Sequence, residues 1–237
     1  MFRISLVKRR QIWLPTLFGW LILIAFAGAG TVVAGLLAYP FLAPNTPVPE
    51  ARLLVVEGWL ASSEFDQAVE AYRKGRYDKV VTTGGPIDRF PEFLGASNYA
   101  DFAASYLKSH GLSGIEIIPI PTPALAQDRT FLSAVTVRDW ASKEGLGVAS
   151  LDVFSSGTHA RRSRMLYQSA FGPTVGIGVL AARPAEYDPE NWWQTSVGAK
   201  AVLGESIGLI WTICCFHPPR GDAPVFPFRP AASETSR

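Results

Sequence analysis

Between Arg10 and Glu50 the chain carries no charged residue, and within that gap residues 17–42 are apolar almost without interruption. As a helix these 26 residues would reach about 39 Å, at about 1.5 Å per residue, whereas a bilayer core is about 30 Å thick. A globular domain has no means of covering such a helix on every side. The sequence therefore predicts a transmembrane helix over 17–42, with the lipid bilayer as its partner. Arg3, Lys8, Arg9 and Arg10 all lie on the N-terminal side of the run. The positive-inside rule then keeps a basic segment, residues 1–16, in the cytoplasm and exports everything after the span. Trp13, Trp20 and Tyr39 fall near the two ends, where interfacial aromatic rings belong. A cleavable signal peptide has a shorter apolar region of about 7–15 residues, so the segment reads as a retained anchor. The expected location is the inner (plasma) membrane, single-pass, with a periplasmic or otherwise extracytoplasmic domain.

Pro40, Pro44, Pro47 and Pro49 follow, and residues 43–51 read as a short stiff linker that lifts the domain off the membrane. Residues 52–217 are enough for one domain. The tail, 218–237, is rich in Pro, Ser and charge and reads as disordered. Without the four N-terminal cations, 18 basic residues face 20 acidic ones. That balance leaves no basic face, and nucleic acid is not an expected partner. Cys214 and Cys215 are neighbours and cannot staple distant segments; they read as buried thiols. With His110, His159 and His217 the only histidines, no metal site and no cofactor is expected.

From Arg52 onward, short apolar runs alternate with helical periodicities. The strand candidates, 53–56, 79–83, 115–120, 150–154 and 175–181, are continuous rather than alternating, as strands covered on both faces read. Helices are expected between them: one with Phe65, Ala68, Val69 and Tyr72 on one face, started by Ser62 or Ser63 and ended by Gly75, and one with Phe102, Ala103, Tyr106 and His110, ended by Gly111. Others are expected at 130–143, apolar nearly all round and so deeply buried, and at 161–171. A last helix is expected at 196–216, where Glu205 argues against a second membrane span. The pattern is α/β: a Rossmann-like, doubly wound, mainly parallel five-stranded sheet behind one transmembrane helix.

Ligands of such sheets bind beyond the carboxyl ends of the strands. Four loops should open there: Glu57-Gly58-Trp59, Thr82-Thr83-Gly84-Gly85-Pro86, Gln127-Asp128-Arg129-Thr130, and the run from Ser155 through His159, Arg161 and Arg162 to Ser163. Paired glycines let backbone N–H groups approach a ligand, and two helix N-termini add partial positive charge. Arg129, Arg161 and Arg162 offer forked donors for phosphate or carboxylate. Arginines at a helix start oppose its dipole, so a bound anion or an ordinary salt bridge must compensate them. His159 is the residue placed to exchange protons near neutral pH, with Glu57 to accept a hydroxyl proton or to orient it. The expectation is an anion site, with phosphate as its ligand. No Gly-x-Ser-x-Gly elbow, dinucleotide fingerprint or phosphate-binding Gly-Lys-Ser/Thr loop occurs.

At these loops the chain resembles the YdcF/ElyC/SanA family, a bacterial group defined by a domain of unknown function. The likeness covers roughly residues 52–216. It is carried by Val56-Glu57-Gly58-Trp59, by Thr83-Gly84-Gly85, by Arg129-Thr130 with Ser133-Ala134, and by His159-Ala160-Arg161-Arg162-Ser163. The resemblance implies a Rossmann-like fold, an anchored envelope location and a part in peptidoglycan or envelope-polysaccharide biogenesis, where lipid-carrier-linked sugar phosphates are handled. The family has no settled reaction; the loops themselves set the expected catalytic positions at His159 and Glu57, with Gly58, Thr83, Gly84, Gly85, Asn98, Arg129, Thr130, Arg161 and Arg162 around the ligand. Where relatives have an acidic residue after a serine, Asn98 follows Ser97. Whether the chain is an enzyme stays open; the reaction that fits is phosphoryl or pyrophosphoryl cleavage or transfer. The alternatives are a non-enzymatic scaffold for cell-wall enzymes, with Trp192 and Trp193 as contact or core residues, and S-adenosylmethionine or nucleotide binding.

Overall fold

The computed structural model describes residues 14–87, 95–124 and 127–218. The four N-terminal cations, Trp13 and nearly all of the tail lie outside them. The chain divides into two compact units, Met1–Leu37 and Ala38–Arg237. Helix α1 (Leu17–Leu42) is long and apolar enough to cross a membrane. Its last turn, residues 38–42, belongs to the second unit, where Leu42 is buried.

In the second unit strands and helices alternate as β1 (Leu53–Glu57), α2 (Ser62–Lys74), β2 (Lys79–Gly84), α3 (Tyr99–Ser109), β3 (Ile117–Pro121), α4 (Arg129–Lys143), β4 (Ser150–Ser156), α5 (Ala160–Phe171), β5 (Gly176–Ala182) and α6 (Ser196–Cys214). The sheet order is β3-β2-β1-β4-β5, and every pairing is parallel. This is the Rossmann-like α/β architecture that the apolar runs predict. The winding reverses between β1 and β4, so the carboxyl ends of those two strands flank the crevice where such sheets bind ligands.

Strand side chains alternate between two cores. Leu53, Val55, Val81, Leu151 and Val153 pack with Phe131, Ala134 and Val137 of α4 and Leu166 and Tyr167 of α5. Leu54, Val56, Val80 and Phe154 pack with Phe65 and Val69 of α2 and Ala103 and Leu107 of α3. Glu57 continues the odd-numbered series of β1, so the period of two aims its carboxylate at the α4–α5 layer.

Several expectations need correction. α4 buries one face, through Phe131, Ser133, Ala134, Val137 and Ala141, and is not enclosed all round, because it is an outer layer of the sandwich. No serine caps α2; its N-cap is Ala61, whose N–H is accepted by Glu64 Oε2 at 3.0 Å. Cys214 and Cys215 are exposed and joined by a disulfide, since α6 ends there with its last turn outside the core.

The proline-rich segment, read as a stiff linker lifting the domain, is instead fastened along the sheet edge. Thr46 pairs antiparallel with Val179, covering the open edge of β5, and Asn45 Oδ1 accepts the N–H of Ala181 at 2.9 Å. Val48 donates its N–H to Asp152 Oδ1 at 2.8 Å, and the Tyr77 hydroxyl donates to Asp152 Oδ2 at 2.7 Å. Asp152 is 1% exposed. Burial raises its carboxyl, while the bonds from Tyr77 and Val48 act the other way. Gly178 leaves the room for this clasp, since a Cβ there would collide with Asp152 and the Val48 backbone.

Replacing Asp152 by Ala strands two donors and should lower stability by about 1–3 kcal/mol in urea unfolding, with faster proteolysis between residues 43 and 51. Asp152→Asn, which keeps an acceptor for Val48 and loses the buried charge, should cost less.

Candidate functional site

A cleft of about 800 Å³ lies beyond the carboxyl ends of β1 and β2. Its lining comes from the loops singled out above, from Tyr99 of α3, from residues 122–124 after β3, and from α6 and the helices that those loops enter. Glu57, Thr83, Gly84, Gly85, Arg129, Thr130, His159 and Arg162 are all there, and so are Glu205, Trp211 and Phe216.

Glu57 is 2% exposed at the end of β1. Its oxygens accept from Ser155 Oγ of β4 at 2.6 Å and from Ser163 Oγ of α5 at 2.8 Å. The two hydroxyl donors give this buried carboxylate the partners that burial requires. The role foreseen for it as the orienter of His159 belongs instead to Glu205.

His159 sits in a short 3-10 turn (Gly157–His159) leading into α5, and is 7% exposed. Its Nδ1 lies 3.0 Å from Glu205 Oε1 and 2.9 Å from Arg162 Nη2. Its Nε2 lies 3.3 Å from Thr130 Oγ1, and Trp59 meets the ring edge-on at 5.0 Å between centroids. Arg162 forks onto Glu205, Nε to Oε2 at 2.9 Å and Nη2 to Oε1 at 3.1 Å. Burial pushes the Glu205 carboxyl up, but hydrogen bonds from His159 and Arg162, and their charges, outweigh it and hold it at about 2. Nδ1 thus meets a carboxylate acceptor and a guanidinium donor, while Nε2 lies on the side of Thr130.

The anion-binding features are narrower than the arginine count implies. Arg162 is engaged by Glu205, so an ordinary salt bridge offsets its place in the first turn of α5. Arg161 points away from the cleft: its Nε donates to the Phe41 carbonyl and its guanidinium lies 4.0 Å over the Phe41 ring. Burial lowers its pKa, and Arg164 nearby adds to that. Arg129 is exposed on the cleft and has no ion-pair partner among the described residues. It opens α4, whose N-cap, Asp128, stands in the left-handed region at φ 54° and makes no side-chain cap; no acid occupies the first turn. Uncapped N–H groups of a helix start favour an anion.

Two other expected residues serve the fold. Asn98 caps α3, its Oδ1 accepting the Asp101 N–H at 2.8 Å, and it does not line the cleft. Gly58 is packed under α3, where a Cβ would collide with the Tyr99 carbonyl, and its N–H goes to Thr83 O at 2.7 Å. Among the described residues no group of three or more His, Cys, Asp or Glu is placed to hold a metal ion.

Glu205, Ser155 and Ser163 are the site residues that sequence reasoning missed as such. A single carboxylate in an otherwise apolar helix was the available signal, because a partly buried charge needs a partner. Comparison of the chain with family models, with curated proteins and with solved structures finds no match.

Because Glu205 is held at about 2 when folded and lies near 4.3 when unfolded, the unfolded chain binds more protons between those values. Its contribution is complete above the unfolded value and is lost as pH falls through about 2. Urea unfolding from pH 6 down to pH 2 should show this loss, and Glu205→Gln should flatten it while lowering stability at pH 6.

Proposed function

We propose that this chain is a membrane-anchored factor of cell-envelope biogenesis, with an extracytoplasmic domain that binds a phosphate-bearing, hydroxyl-rich ligand such as a lipid-carrier-linked sugar phosphate. The observation that carries the reading is one juxtaposition. His159, fixed by Glu205, shares a cleft with Arg129 at an uncapped helix start and with the backbone of Gly84 and Gly85. The phosphate belongs at the Arg129 end, where N–H groups and a guanidinium converge. Glu57 is the acceptor for a ligand hydroxyl deeper in the cleft. The anchor rests on α1, its direction on the four cations preceding it, and the envelope role on the resemblance to the YdcF/ElyC/SanA family.

Such a cleft supports phosphoryl or pyrophosphoryl cleavage or transfer. His159 Nε2 would move the proton and Arg129 would meet the developing charge. The engagement of Arg162 by Glu205 favours a second reading, a scaffold for cell-wall enzymes, because it withdraws one cation from the ligand.

Calorimetry with the full-length protein in nanodiscs, titrated with inorganic pyrophosphate and with a sugar 1-phosphate, tests the first reading. Arg129→Ala should weaken binding about tenfold or more, in keeping with a charge-assisted contact. Unchanged binding in both Arg129→Ala and His159→Ala would overturn the assigned pocket. Restoration of an envelope defect by His159→Ala as fully as by the unaltered protein would select the scaffold.

A further inference from the structure

Helix α6 has a second apolar face that nothing in the fold covers. Val202, Leu209 and Thr212 are buried on its inner side, and Glu205 faces His159 and Arg162. On the opposite side Leu203, Ile207, Ile210, Trp211 and Ile213 are each between 48% and 68% exposed. Their spacing places them along one stripe of the helix. Only Lys200 and Glu205 are charged in its 19 residues.

We propose that this face lies in the surface layer of the bilayer, parallel to its plane, so that α6 is a second membrane contact and one wall of the cleft stands at headgroup level. The proposal rests on the reading of α1 as a membrane anchor. Its own support is the place of α6 in the domain. Val202 and Leu209 share a small core with Leu42, and Ala38, Tyr39 and Ala199 pack around it. Helix α6 thus packs, by its inner side, on the point where the chain arrives from α1. Residues 45–48 are bound to β5 and Asp152, so no free spacer separates that point from the domain. Trp193 just before α6 and Trp211 near its end are both exposed, as aromatic rings at a membrane–water boundary are. Lys200 is exposed and long enough to reach headgroups while its stem stays apolar. A spanning α6 is disfavoured, because Glu205 would enter hydrocarbon and surrender its bonds to Arg162 and His159.

The test uses full-length protein in phosphatidylethanolamine–phosphatidylglycerol vesicles, with a fluorophore on one introduced cysteine and nitroxide lipids as depth-graded quenchers. Labelling is done without reductant, which leaves Cys214 and Cys215 joined, and is repeated on C214S/C215S. Labels at Ile207→Cys and Ile210→Cys should lose about half their emission to shallow nitroxides, for a helix seated about 5–10 Å deep. A label at Phe26→Cys should be quenched by mid-chain nitroxides, and one at Lys143→Cys by neither. Quenching at Phe26 without quenching at 207 and 210 would overturn the α6 contact and leave the anchor standing. A depth maximum at 207 that falls away toward 197 and 213 would overturn it in favour of a span. Cross-linking between copies through Ile207→Cys, with no lipid quenching, would overturn it in favour of a second copy of the chain. Absence of quenching at Phe26 would overturn the anchor itself.

Discussion

A sheet whose five strands all run one way must be covered on both faces, and all its strand-to-helix loops emerge on one edge. Most of this molecule follows from that. The odd and even residues of β1 feed two separate cores, and where β1 ends the next odd position holds Glu57 rather than another aliphatic residue. Its carboxylate therefore points into the layer containing α5, where Ser163 meets it, while Ser155 reaches it from the neighbouring strand. The winding reversal between β1 and β4 leaves the crevice open there. The cleft thus follows from strand direction and the period of two, before any side chain is given a role.

The same logic explains what was legible in the sequence. Continuous apolar runs marked all five strands to within a few residues, since burial on both faces removes polar alternation. β3 begins at Ile117, two residues after the apolar run starts, because Ile115 is taken up in the turn closed by its N–H to Leu112 O. The glycine, arginine and histidine loops were legible because a parallel sheet brings its βα turns to one side. Tertiary partnerships were not. Arg161 and Arg162 are adjacent and chemically alike, yet one packs on Phe41 and the other on Glu205, 43 positions away. Asn98 is as apt a helix cap as a ligand contact, and capping is the use it finds.

Glu205 shows the limit most clearly. In the sequence it was the residue that argued against a second span. In the fold the same charge turns inward, which sets the histidine's orientation and leaves Lys200 as the one charge on the outer face of α6. A helix with one acid on its inner side and aliphatic residues outside is amphipathic in the reverse of the usual sense. Composition alone reports it as intermediate between a core helix and a membrane helix.

The strap of residues 45–48 has a mechanical corollary. Because Thr46 and Val48 are seated on β5 and Asp152, a pull along the polypeptide from the α1 side is borne by backbone pairing at the sheet edge and by one enclosed carboxylate. Extra residues inserted beyond Val48 would form a surface bulge and add no reach. The distance over which the domain can search is set by how often that strap peels away, not by how many residues it contains.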